Sequence, residues 1–270
     1  MRAVSLVLLL ASLATAAGPE LRFRRAGAEV RRLDRDALAA ACPPQTITLE
    51  DPYYEGPEKT YRALPLACVV TAGLGDAAAL RDQDVVLRAL DGYEKPTTAE
   101  RLFVDGGFVA IADAERASGW APLGRAGIDP GPFYVVWTRP EQRDTHTWPW
   151  PYQLAEIEVT DWKATHAHAV PTAAPPDAPA WRGFTLFRER CVACHAVNGE
   201  GGRVGPDLNV PQSIVEYRAV PQLKQFIRAP QTFRYGNMPA HPDLTDADLD
   251  ALIAYFETMK GLKHDPRAAR

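Results

Sequence analysis

Polar and apolar residues alternate through residues 46–51 (TITLED), the period of a strand with one face on a core. Similar runs at residues 85–90, 107–113, 133–138 and 156–159 predict further strands, and residues 34–41 and 65–71 predict short helices. The pattern then changes. Residues 164–180 (ATHAHAVPTAAPPDAPA) are rich in Ala and Pro and have no hydrophobic period, which predicts a semi-extended, solvated linker. Beyond it the period is helical. Phe184, Leu186 and Phe187 mark one helix, and Leu249, Leu252, Ile253 and Phe256 form an i, i+3, i+4, i+7 stripe on another. Thr245 stands where a cap is needed, Asp246 and Asp248 favour the positive helix end, and Gly261 sits at the expected stop. The chain therefore predicts an α+β domain over residues 27–163, a linker over 164–180 and an all-α domain over 181–270.

The remaining composition changes this picture in three places. Residues 1–17 combine Arg2, an apolar run from Val4 to Leu13 and the small-residue motif Ala14-Thr15-Ala16, as a cleaved export signal does. The run is too short to span a membrane, and no other span is expected, so the mature chain is expected in the periplasm. A net charge of −4 leaves no electrostatic footprint for nucleic acid. The acidic run over 243–250 is expected to serve helix capping before docking.

The most specific feature is Cys191-Val192-Ala193-Cys194-His195, the C-x-x-C-H attachment motif of haem c. Each thiol can add to a vinyl group of the same haem, and His195 then reaches the iron as an axial ligand. The motif lacks the βαβ surround of a thioredoxin-like C-x-x-C and the four spaced ligands of a zinc site. Three methionines compete for the second axial position. Met1 leaves with the signal, and Met259 continues the stripe of the last helix. Met238, in a loop between Gly236 and Pro239, is the favoured ligand; His241 is its main rival and would give a bis-His haem. A ligating histidine needs an acceptor for its other ring N–H, and the Pro206 carbonyl is the candidate. His166 and His168 form an H-x-H pair with no further ligands nearby, and a structural role is expected for both. Cys42 and Cys68 remain; in an oxidising compartment they either pair or stay as separate buried thiols.

Residues 181–270 resemble a bacterial class I cytochrome c domain. The likeness rests on Gly183-x-x-x-Phe187, Cys191-x-x-Cys194-His195, Gly205-Pro206-x-Leu208, Met238-Pro239 and the last helix with Tyr255. It implies a helical fold around one covalent haem c, with the first and last helices packed together. Residues from about 40 to 163 resemble, in short form, the molybdopterin-binding domain of the sulfite oxidase family. That likeness rests on Asp91-Gly92-Tyr93 and on the order of the aromatic-rich segments 132–137 and 148–154. The family's molybdenum ligand is a cysteine followed by any residue, glycine and asparagine, whereas Cys68 stands in Ala67-Cys68-Val69-Val70. The expectation is a degenerate domain without molybdenum, in which His146 is a hydrogen-bonded structural residue.

The function expected from these features is that of a non-enzymatic periplasmic monohaem cytochrome. It would pass single electrons to or from a partner redox enzyme or another carrier, with the front domain as docking module. The alternative is a molybdenum oxidoreductase of the sulfite dehydrogenase type, with Cys68 on the metal and haem as internal acceptor.

Overall fold

A computed structural model describes residues 18–54, 58–124, 126–234, 236 and 238–268. The expected export signal, 1–17, lies outside the described residues. The front part runs β1 (Glu20–Arg25), β2 (Ala28–Asp34), α1 (Arg35–Ala41), β3 (Gln45–Leu49), β4 (Lys59–Pro65), α2 (Leu66–Leu74), α3 (Ala77–Leu80), β5 (Asp84–Ala89), β6 (Glu94–Thr98), α4 (Ala99–Leu102), β7 (Gly107–Asp113), β8 (Tyr134–Trp137) and β9 (Leu154–Thr160). The strands form a five-stranded sheet in the order β2-β1-β9-β5-β6 and a four-stranded sheet in the order β3-β4-β7-β8. Only β1 and β9 pair in parallel among these neighbours. The short helices start where side chains cap them: the carboxylate of Asp34 accepts from Ala37 N at 2.8 Å and that of Asp76 from Ala79 N at 2.9 Å.

One core lies between the two sheets and α1 and α2. It buries Leu21, Phe23, Leu87 and Ile157 from the larger sheet with Tyr61, Val109 and Val135 from the smaller. Cys42, at the end of α1, is disulfide-bonded to Cys68 of α2, which resolves the pairing left open by spacing. The strand β1 lies ahead of residue 27, where the front domain was expected to begin. Its sequence, ELRFRR, offers only Leu21 and Phe23 to the core, too short an alternation to announce itself.

The larger sheet is buried on both faces. Val85 and Leu87 point into the first core, and Val86 between them points into a second core with Trp162, Phe184 and Phe187. On that outer face Arg88 binds Glu94 (3.0 Å), Glu156 (2.8 Å) and Glu158.

The rest of the described chain runs α5 (Trp162–Thr165), α6 (Pro179–Arg190), a two-stranded hairpin β10 (Ala196–Val197) and β11 (Glu200–Gly201), α7 (Ile214–Tyr217), α8 (Val220–Arg228) and α9 (Asp246–Lys260). It is helical apart from that hairpin. Residues 164–180 are the solvated linker expected from composition only in part: 172, 173 and 175–177 are exposed, but the start of the segment is packed. Trp162, His166 and Ala169 are buried, and Tyr255 of α9 donates to the Ala169 carbonyl at 2.7 Å. His166 Nε2 lies 2.6 Å from Glu94 Oε1 of the front sheet, and His168 Nδ1 lies 2.6 Å from Glu200 Oε1. Both histidines are structural, as expected, but in a packed segment; alanine and proline content reported the absence of a period, not the absence of partners.

Helices α6 and α9 cross at Gly183, where a Cβ would sit 2.0 Å from the Ala251 carbonyl oxygen. Phe187, one turn on, packs against Tyr255 and Phe256 with ring centroids 5.4 and 6.3 Å away. The acidic start of α9 is a cap. Asp248 and Thr245 form a capping box, and Asp243, Asp246, Asp248 and Asp250 each face a basic side chain: Arg190, Arg228, Arg182 and Lys224.

Candidate haem site

Helix α6 ends at Arg190, so the C-x-x-C-H segment lies beyond it rather than on it. The chain keeps a helix-like turn nonetheless: Cys194 N and His195 N both donate to the Cys191 carbonyl, at 3.1 and 2.9 Å. The turn brings Cys191, Cys194 and His195 onto one wall of a cavity of about 390 Å3. Pro206, Met238 and His241 line the same cavity, so every residue expected to hold the cofactor meets there. Met259 does not: it is fully buried in the second core, as its place in the stripe implied.

Much of the remaining lining is apolar, with Arg190, Arg218 and Arg234 also on the wall. Ile214 of α7, Leu223, Phe226 and Ile227 of α8, and Leu252 and Phe256 of α9 line it. The α8 wall was missed at the level of sequence, although Leu223, Phe226 and Ile227 carry the i, i+3, i+4 spacing that would have revealed it.

His195 is held by a chain of supports. Its Nδ1 lies 2.8 Å from the Pro206 carbonyl oxygen, the partner expected from ligand chemistry. With Nδ1–H donated there, Nε2 carries the lone pair. Burial keeps the ring below the ordinary histidine pKa, although the Pro206 carbonyl and Asp207 oppose it. The Pro206 loop is anchored in turn by Asp207, whose carboxylate accepts from Gly199 N (2.7 Å), Asn209 N (2.8 Å) and Val210 N (2.9 Å). Asn209 Nδ2 then donates to the Met259 carbonyl at 2.7 Å, fixing the loop to α9. Gly205 stands where a Cβ would come within 2.4 Å of the His195 ring, so only glycine lets the loop lie flat on the imidazole.

The two motif thiols are free, and burial pushes them up, Cys191 to about 12 and Cys194 to about 11. Neutral buried thiols are poor redox dithiols, which fits covalent attachment better than thiol–disulfide exchange. Two adjacent thiols, a neutral imidazole, a thioether loop and a largely apolar slot are the donor set and lining that haem c requires; the residues fit the group.

The comparisons with known proteins agree. Residues 180–260 match the cytochrome c family model. The C-terminal part of the chain is a cytochrome c domain. The chain is also 38% identical over 117 residues to cytochrome c oxidase subunit 2 of Alkalihalophilus pseudofirmus (strain ATCC BAA-2126 / JCM 17055 / OF4), a match covering 40% of this chain and 34% of that protein. The chain thus spans about a third of the length of the curated relative it matches. A cytochrome c domain implies covalently bound haem c and a redox partner.

The front sheet meets the cytochrome c domain at the attachment motif itself. Glu94 N donates to the Ala193 carbonyl, inside C-x-x-C, at 2.9 Å. Arg203 N donates to the Gly92 carbonyl at 2.8 Å, so the Asp91-Gly92-Tyr93 element is the β5–β6 turn that rests on this domain. His146 is placed otherwise than expected. No hydrogen bond holds its ring among the described residues; the ring faces that of His241, with centroids 5.6 Å apart. His241 is itself buried with Nδ1 unpartnered, and burial followed by the nearby His146 depresses it to about 4. The second axial position therefore has two neutral candidates at one wall, Met238 and His241.

Cys68 cannot serve as the thiolate that the molybdenum alternative requires, because its sulfur is bonded to Cys42.

Proposed function

We propose that this protein is a periplasmic monohaem electron carrier whose front domain is a docking module rather than a catalytic one. The observation that supports it most is the convergence of Cys191, Cys194, His195, Pro206 and Met238 on one largely apolar cavity. Cys191 and Cys194 would hold the haem by thioethers, with His195 and Met238 on the iron. So held, it supplies a reversible one-electron couple between Fe(III) and Fe(II). The Pro206 carbonyl fixes the imidazole so that ligation needs no rotation of the ring. The apolar side chains of α7, α8 and α9 would pack against the macrocycle. With His195 and Met238 both holding the iron, substrate chemistry at the metal would be disfavoured, and the reading is a carrier.

The front domain supports a positioning role because it contacts the attachment turn through backbone hydrogen bonds at Gly92 and Glu94. Its partner is a redox enzyme or a second carrier. The similarity to an oxidase subunit makes a terminal oxidase one partner to test.

The test is expression in a host that attaches haem c after export, followed by haem and metal analysis. One covalent haem per chain, reduced in a single one-electron transition, is expected. Absence of covalent haem, or stoichiometric molybdenum in the purified protein, would overturn the proposal.

A further inference from the structure

A second cavity, of about 370 Å3, lies between the front sheet and the cytochrome c domain. It is walled by β6 and α4 on one side and by α5 and α6 on the other. Its lining is strongly cationic: Lys95, Arg101, Lys163 and Arg188. Arg188 is already paired with Asp84 at 2.8 Å. Lys95, Arg101 and Lys163 have no carboxylate within 4.0 Å among the described residues; Glu189, the one acid in the lining, reaches none of them.

Lys95 is the unusual member. It is 5% exposed, and its ammonium makes one hydrogen bond, to the Glu189 carbonyl at 2.7 Å, leaving two donors unanswered. A buried charge without a counter-ion is costly, and proteins retain it where something else completes it. A buried cation on one strand thus presents unmet hydrogen-bonding capacity at a cavity that carries three unneutralised positive charges among the described residues.

We propose that this interdomain cavity binds a small tetrahedral oxyanion of the phosphate class, through Lys95, Arg101 and Lys163. Three cations from three elements exceed what a monovalent carboxylate neutralises. Mixed Lys and Arg donors suit several oxygens on one centre. Burial, against the opposing pull of the Cys191 thiol, and then the neighbouring Arg101 and Arg190 hold Lys95 down to about 8; an anion in the cavity would restore its charge. Bound there, the ligand would bridge the two parts of the chain, because its donors come from β6 and α4 on one side and α5 on the other.

The experiment titrates the full-length holoprotein with inorganic phosphate, with sulfate and with chloride at matched ionic strength, following the unfolding temperature and binding heat. Saturable binding of one phosphate or sulfate per chain is expected, with a rise in unfolding temperature that chloride does not give. The tighter of the two oxyanions identifies the preferred ligand. Lys163 is exposed on α5, so K163E should fold normally, keep the haem spectrum and bind at least tenfold more weakly; R101Q should do the same. Equal effects of chloride and both oxyanions, or unchanged affinity in K163E and R101Q, would overturn the proposal.

Discussion

Replacing Arg88 by methionine tests how the outer face of the larger sheet holds its buried charges. Arg88 sits on the outer face of the larger sheet and binds Glu94 at 3.0 Å, Glu156 at 2.8 Å and Glu158. Glu156 and Glu158 are each 4% exposed, so neither can turn to water when the guanidinium is removed. The loss is uneven. Glu156 keeps Arg22 and Arg24 at 3.7 and 3.5 Å, and Glu94 keeps His166 at 2.6 Å. Glu158 keeps only the backbone N–H of Gly27 at 2.6 Å. Breaking a buried ion pair from one side costs about 3–5 kcal/mol. One carboxylate is stranded rather than three, which places R88M near 3 kcal/mol, on the order of 6–12 °C in unfolding temperature for a chain of this size. Urea unfolding of the holoprotein at pH 7 measures it, with the slope against denaturant unchanged. The defect should shrink in acid. Burial raises the Glu94 pKa, but the His166 and Arg88 contacts outweigh it and hold the carboxyl below its usual range. Its contribution is therefore present above the ordinary carboxylate pKa, about 4.3, and lost as pH falls through the depressed value. A loss below about 1 kcal/mol at pH 7, or a defect that grows as carboxylates protonate, would refute the reasoning.

Other substitutions address the remaining parts. M238A should abolish the sulfur-to-iron charge-transfer absorption of the oxidised protein while H241A leaves it intact; absence of that absorption from the unsubstituted protein, with loss of the low-spin spectrum in H241A, assigns the ligand to His241. G183A forces a Cβ to 2.0 Å from the Ala251 carbonyl, and the separation of α6 from α9 should cost at least about 2 kcal/mol, read as early thermal loss of the haem spectrum. Removing the Cys42–Cys68 bridge, with a sequence separation of 26, should lower stability by about 3.5 kcal/mol through a less constrained unfolded chain, measured by urea unfolding of the double serine variant. G205A should displace the His195 ring, since its Cβ would lie 2.4 Å away, and should weaken axial ligation in the absorption spectrum while the covalent haem remains.

Local chemistry made much of the haem site legible before any coordinates. The pentapeptide from Cys191 to His195 is contiguous, so its reading needed no tertiary information. The Pro206 carbonyl could be named because a ligating imidazole demands an acceptor and few were near. The last helix announced itself through its stripe and cap. Other features were hidden for a common reason: their meaning depends on residues far away in sequence. His166 looks idle in an Ala- and Pro-rich run, yet its partner is Glu94, 72 residues earlier. Arg88, Glu156 and Glu158 read as solvent-facing charges on strands, because alternation cannot tell water from a second buried layer. The strand β1 carries too few apolar residues to be noticed, and its place is set by pairing with β9.

The sequence by itself determined which chemistry this protein can carry, because covalent attachment and axial ligation depend on residue type and short spacing. It also determined where the last helix of the cytochrome c domain begins and ends, since its cap and stripe are local. Tertiary structure decided the rest. It bridged Cys68 to Cys42 and so left neither sulfur free for a second metal. It laid the β5–β6 turn on the attachment motif, and it buried Lys95 in a cationic cavity between the two parts. Those outcomes follow from which surfaces meet, and long-range contacts leave no period in a chain for a reader to find.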